Sequence, residues 1–140
     1  MLTRRGWFGS LVVLIGALVG VGCASGDGLD GGNGTYDLRA IQLEGMGPQK
    51  DGTLKVQYRP PVETMYSCPG VNVVEEPAGT LRVTFVRTPK SMPATAQHQG
   101  TLDPMTGVAI VFLPDAVNKQ VILVGGEWER EIWRRGGPIR

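Results

Sequence analysis

The chain has 140 residues, the length of one domain. Its 14 basic and 13 acidic residues leave a net charge of +1, which excludes a strongly basic nucleic-acid binder and a long acidic tail. With 21 glycines and 10 prolines it is too punctuated for a helix bundle, and two cysteines with one histidine exclude a disulfide framework or a His/Cys zinc cage within one chain.

The amino end begins with two arginines, Arg4 and Arg5, and no acid. Residues 8–21 then run 14 positions without a charge. A span across a bilayer needs about 20 apolar residues, so this run is short for a transmembrane helix and suits the apolar core of a signal peptide. Small residues follow, and then a cysteine, in Val19-Gly20-Val21-Gly22-Cys23. This stretch resembles the lipobox of bacterial lipoproteins. Gly22 takes the small position before the cysteine, and Gly20 stands where the family usually has Leu. The resemblance implies cleavage between Gly22 and Cys23 and a diacylglyceryl group on the Cys23 sulfur. Each buried CH₂ contributes about 0.8 kcal/mol, and two or more chains make a stable anchor. By the same resemblance, Ala24 in place of Asp leans toward an outer membrane. An ordinary secretory signal cleaved near Ala24 is the alternative. Thr3-Arg4-Arg5-Gly6-Trp7-Phe8 is also similar to a twin-arginine export signal, which would carry the domain across already folded. Two arginines supplying ordinary positive charge is the competing reading. Removing residues 1–22 takes two from the 14 basic residues, leaving 12 against 13 acidic and a net charge of −1.

Residues 23–34 contain five glycines in twelve positions and one large apolar residue, Leu29. Such a segment reads as a flexible tether with a span of roughly 19 Å. From residue 35 apolar residues return in short runs. Leu54, Val56 and Tyr58 alternate with Lys55, Gln57 and Arg59, as in a half-buried strand, and Leu81, Val83 and Phe85 alternate likewise. The run 36–43 begins in alternation and slips at Ala40-Ile41, which predicts a bulge. Residues 108–113 and 121–124 are continuous apolar runs, as expected of strands covered on both faces. Val71-Asn72-Val73-Val74 is a shorter candidate. Turn chemistry stands at 50–52, 76–79, 103–107 and 114–118, and Pro60-Pro61 ends its strand. Residues 88–107 form a long connection that either hides a short strand at 95–99 or serves as a binding loop. At 127–135 the charge order allows a helix, but Gly125-Gly126 before it suits a hairpin turn, and a strand with Trp128 and Ile132 on one face is favoured. The pattern predicts an all-β fold: a small antiparallel sandwich of six or seven strands over 35–136, with 137–140 as a tail.

Few residues carry chemistry. Cys68, in Tyr66-Ser67-Cys68-Pro69-Gly70, reads first as a buried small hydrophobe beside a turn. A bond to another chain is a second reading. A copper site from Cys68, His98 and one of Met65, Met92 or Met105 is a third, although blue-copper centres generally use a second histidine. A Cys68–His98 nucleophilic pair is a fourth. Trp128, Trp133 and Tyr66 suit core packing better than an exposed aromatic platform. Glu75-Glu76 sits beside a turn. No phosphate loop or serine elbow appears, and no cofactor is implied. The sequence therefore predicts a lipid-anchored, non-catalytic module of the cell envelope that meets the membrane through its anchor and binds an envelope protein or polymer, not nucleic acid. A small periplasmic copper-handling protein using Cys68 and His98 is the alternative.

Overall fold

The computed structural model describes residues 2–4 and 28–139. Gly22, Cys23 and the apolar run before them lie outside the described residues. In chain order the strands are β1 (Thr3–Arg4), β2 (Asp30–Gly32), β3 (Thr35–Tyr36), β4 (Gln42–Pro48), β5 (Leu54–Arg59), β6 (Tyr66–Ser67), β7 (Gly70–Glu76), β8 (Thr80–Phe85), β9 (Thr88–Pro89), β10 (His98–Gln99), β11 (Thr101–Leu102), β12 (Ala109–Leu113), β13 (Gln120–Gly125), β14 (Trp128–Arg134) and β15 (Gly137–Pro138). Seven of these have five to seven residues, and they carry the fold.

The fold is an all-β sandwich, as the alternation predicts. One sheet runs β1-β14-β13-β8-β7-β10, with β15 also on β14, and the other runs β11-β12-β5-β4. Two short ribbons, β2 with β3 and β6 with β9, flank them. Every pairing is antiparallel except β8 with β13, which is parallel over five residue pairs. A parallel pair needs a long crossover. Here residues 86–119 supply it and contribute β12 to the second sheet on the way.

The core lies between the sheets. Leu54, Val56 and Tyr58 from β5 meet Leu81, Val83 and Phe85 from β8, joined by Val71, Val111, Leu123 and Ile132. Each such side chain, fully buried, contributes roughly 1.5–3 kcal/mol. Among the described residues the buried core lies between Tyr36 and Trp133. Among the described residues no helix is long and apolar enough to cross a membrane.

Several local expectations are corrected. Residues 36–43 do not form one bulged strand. Asp37 stays extended and its carboxylate accepts the Arg39 N–H at 2.9 Å, capping a 3-10 turn over Leu38–Ala40. The turn buries Leu38 and breaks the chain between β3 and β4. A bulge does occur, but between Leu43 and Gly45 against β5. Strand β12 is covered on one face only, because its other face is the outer surface of the second sheet, and Phe112 is 50% exposed. In β14, which is a strand as favoured, a register shift against Val121/Ile122 turns both Ile132 and Trp133 inward. A regular pleat would have sent one of them to solvent. The hairpin turn there is Gly126-Glu127, since Gly125 pairs with Trp128, and Gly126 has φ 62°. Asp30–Gly32, within the stretch read as a tether, forms β2, and Gly31 packs so closely on Tyr36 and Gly126 that a Cβ would not fit.

Candidate functional site

Cys68 and Pro69 link β6 to β7, and the sulfur donates to the Gly70 carbonyl at 3.6 Å. Strand β10 crosses Gly70 so closely that any Cβ there would strike the His98 carbonyl. This crossing pairs Gln99 with Gly70 and His98 with Val71, and brings residue 98 to the same end of β7 as Cys68. Below lies Tyr58, whose ring packs on Phe85 with centroids 4.8 Å apart. Its hydroxyl is fully buried, makes no hydrogen bond, and is covered by Gly100, where a Cβ would collide with it. Burial, and then the neighbouring Cys68 sulfur, push the Tyr58 phenol far up. Burial likewise pushes the Cys68 thiol up to about 11.

No hydrogen bond joins Cys68 to His98. His98 lines an open cleft of about 400 Å³ at the edge between the sheets, with Val73, Glu75, Leu81, Gln97 and Leu113. Gln97 closes the rim: its side-chain oxygen accepts the Val73 N–H at 2.6 Å, and its own N–H donates to Asn72 at 2.9 Å. Met65, Met92 and Met105 are exposed on turns. Among the described residues no three His, Cys, Asp or Glu side chains are grouped to hold a metal ion. The fold thus brings Cys68 and His98 to one corner without bringing them together.

The strongest polar constellation is one the sequence did not reveal. Glu63, 9% exposed, uses both oxygens: Arg87 donates to them at 2.6 and 3.2 Å, and the Tyr36 hydroxyl donates at 2.6 Å. The Arg87 guanidinium lies 3.8 Å from the Tyr66 ring centre and 5.7 Å from that of Tyr36. Lys90 donates to the Glu63 carbonyl at 2.8 Å. The hydrogen bonds from Arg87 hold the Glu63 carboxyl below the usual carboxylate range, against its burial and with help from Tyr36. A carboxylate with three of its roughly four acceptor sites filled by Arg87 and Tyr36 is a poor proton acceptor. Its work is to pin the 60–66 loop to the body of the domain. Glu63 and Arg87 are far apart in sequence and fit no motif, so only the fold shows them as a pair.

Other candidates resolve into packing. Trp133 is buried and donates from its ring nitrogen to the Val117 carbonyl at 2.9 Å. Trp128 lies under Arg39 at 4.9 Å and Tyr66 lies under Arg87, so the three aromatic rings form no shared platform. Glu75 pairs with Lys119 at 2.6 Å, while Glu76 pairs with Arg82, which also reaches Glu129 at 3.1 Å. The chain matches no protein-family model, no curated protein and no solved structure.

Proposed function

We propose that the chain is a lipid-anchored protein of the bacterial cell envelope, tethered through Cys23, whose sandwich is a non-catalytic module that binds a protein or polymer or serves structurally. The observation that carries the reading is the charge-free run at 8–21 followed by Gly22-Cys23. The domain's own chemistry supports it. Its thiol is held protonated by burial, its central carboxylate is held by Arg87 and Tyr36, and its ion pairs tie one part of the domain to another.

Mass spectrometry of the protein from a membrane fraction is the test. The expected product begins at Cys23 and carries diacylglyceryl on sulfur. A bare sulfur, or a chain intact from Met1 and dissolved in the cytosol, overturns the reading. The non-catalytic part is tested by thiol labelling at pH 7. Raising a thiol from 9.0 to about 11 lowers its thiolate fraction roughly 100-fold at pH 7, so native Cys68 should react at least ~10-fold more slowly than in the denatured chain. Rapid labelling of the native protein, or copper retained through purification without chelator, would favour an active or metal-bound Cys68 instead.

A further inference from the structure

The two ends of the sandwich differ in what their turns carry. Strands β8 and β13 run parallel and finish together, and β7 begins beside them with Val71 opposite Phe85. Tyr58, near the finish of β5, packs on Phe85 and pairs with Ala109 at the start of β12. The 60–66 loop and the turns at 89–92 and 103–107 therefore share one end. Their tips are apolar: Val62, Met65, Met92 and Met105 are all exposed there. The turns at the opposite end, at 49–53, 77–79, 114–119 and 135–136, carry Lys50, Asp51, Asp115, Lys119 and Arg135. Among the described residues those turns hold no exposed large apolar side chain. The exposed Phe112 and Val74 lie on the sheet faces, opposite Lys55 and Arg82.

The apolar tips are held in place. Glu63, next to Val62, is bound by Arg87, and the Met65 carbonyl accepts the Lys90 N–H at 2.9 Å, which joins the 60–66 loop to the turn that presents Met92. On the 103–107 turn the Thr106 carbonyl accepts from Arg59 at 2.8 Å. Loops fixed in advance lose little freedom on docking.

The chain from the proposed anchor enters at this same end. The Leu29 carbonyl accepts the Asp37 N–H at 2.9 Å, and Asp30 lies 3.9 Å from the Arg87 guanidinium that grips Glu63. Cys23 precedes Leu29 by six residues, so an acylated Cys23 lies within about 21 Å of it. A domain of this size is roughly 33 Å across. So short a tether permits the domain to rest on this end or on an adjoining flank, and the apolar tips select the end.

We propose that this end of the sandwich docks on the lipid bilayer that carries the anchor, with Val62, Met65, Met92 and Met105 entering the boundary between headgroups and acyl chains. The inference rests on the proposed acylation of Cys23. Lys90, exposed among the tips, brings a cation to the lipid phosphates. Anchoring makes docking an intramolecular event, so contacts too weak to hold a free domain suffice.

The test uses the processed protein in vesicles of phosphatidylethanolamine and phosphatidylglycerol. An environment-sensitive fluorophore is placed on Val62→Cys, Met105→Cys or, at the other end, Asp51→Cys, under conditions that leave Cys68 unlabelled. Lipids brominated near the headgroup should quench the labels at 62 and 105 at least ~3-fold more strongly than the label at 51. Dissolved iodide should show the opposite order. Met65→Asp combined with Met92→Asp, both at exposed positions, should lower lipid quenching at 62 at least ~3-fold while the protein stays on the vesicles. Equal quenching at the three positions overturns the proposal, and a mass that shows diacylglyceryl on Cys23 then leaves the anchor standing. Labels shielded from iodide in native membranes but not in pure lipid vesicles identify a membrane protein as the cover and overturn it too. A bare Cys23, with protein that washes off the vesicles, overturns it together with the proposed function.

Discussion

Two buried tyrosines within one core meet opposite fates. Tyr36 gives its hydroxyl to Glu63 at 2.6 Å, inside a set of partners that satisfies every charge present. Tyr58, equally buried, ends against Gly100 and Cys68 with its hydroxyl unpartnered. The first is held by polar bonds and the second by its ring alone. A charge cannot be left alone in the interior, because its desolvation is too costly, so the Glu63 cluster is complete. A neutral hydroxyl costs about 1–3 kcal/mol when unsatisfied, which a large aromatic ring can offset through packing.

Substitutions separate the two cases. Arg87→Ala strands the Glu63 carboxylate and should cost the most, about 3 kcal/mol in denaturant unfolding. A change under 1 kcal/mol would show that the pair is decorative. Tyr36→Phe removes one bond to a charged acceptor and should cost about 2 kcal/mol. Glu63→Gln sharpens the point through pH. The Glu63 carboxyl is held low in the folded chain, so its contribution is complete above the unfolded value of about 4.3 and fades as pH falls through the folded one. The stability gap between native chain and variant should therefore narrow in acid; a gap that widens would contradict the assignment. Tyr58→Phe should have the smallest effect, from neutral to about 1 kcal/mol stabilising, since it deletes a group that has no partner. It should also rescue Gly100→Ala. In that variant the new methyl strikes the hydroxyl, whereas the ring carbon behind it, at 3.5 Å, is an ordinary contact. Gly100→Ala alone should cost about 1–3 kcal/mol by overpacking, and equal costs in both backgrounds would disprove the collision.

What the sequence made legible was what depends on neighbours in the chain. The alternation of Leu54, Val56 and Tyr58 and of Leu81, Val83 and Phe85 gave the right strands and the right faces, because one residue's step fixes the next. Residues 36–43 were misread because a single side-chain bond from Asp37 overrode the apolar pattern. Trp133 packs in the core as favoured, but its turning inward beside Ile132 could not be read, because a bulge is set by the partner strand, which periodicity does not contain. The Arg87–Glu63 cluster was invisible for a similar reason: a lone glutamate in a proline-rich loop has no signature until the fold brings its cation. Cys68, read as a buried small hydrophobe, is half-buried against the core, and the close packing around it at the neighbouring Gly70 and the distant Gly100 has no local pattern in the sequence.

The parallel pairing of β8 with β13 has a consequence for how the molecule is made. The strand that completes the larger sheet, and links β8 to β14, begins at Gln120. A ribosome or a translocation pore releases the chain amino end first, so β7 and β8 must wait as an unfinished hairpin until residues 120–125 have emerged. Closure of the interior then waits for β13, and a chain that stops before Gln120 leaves the larger sheet without the strand that joins β8 to β14.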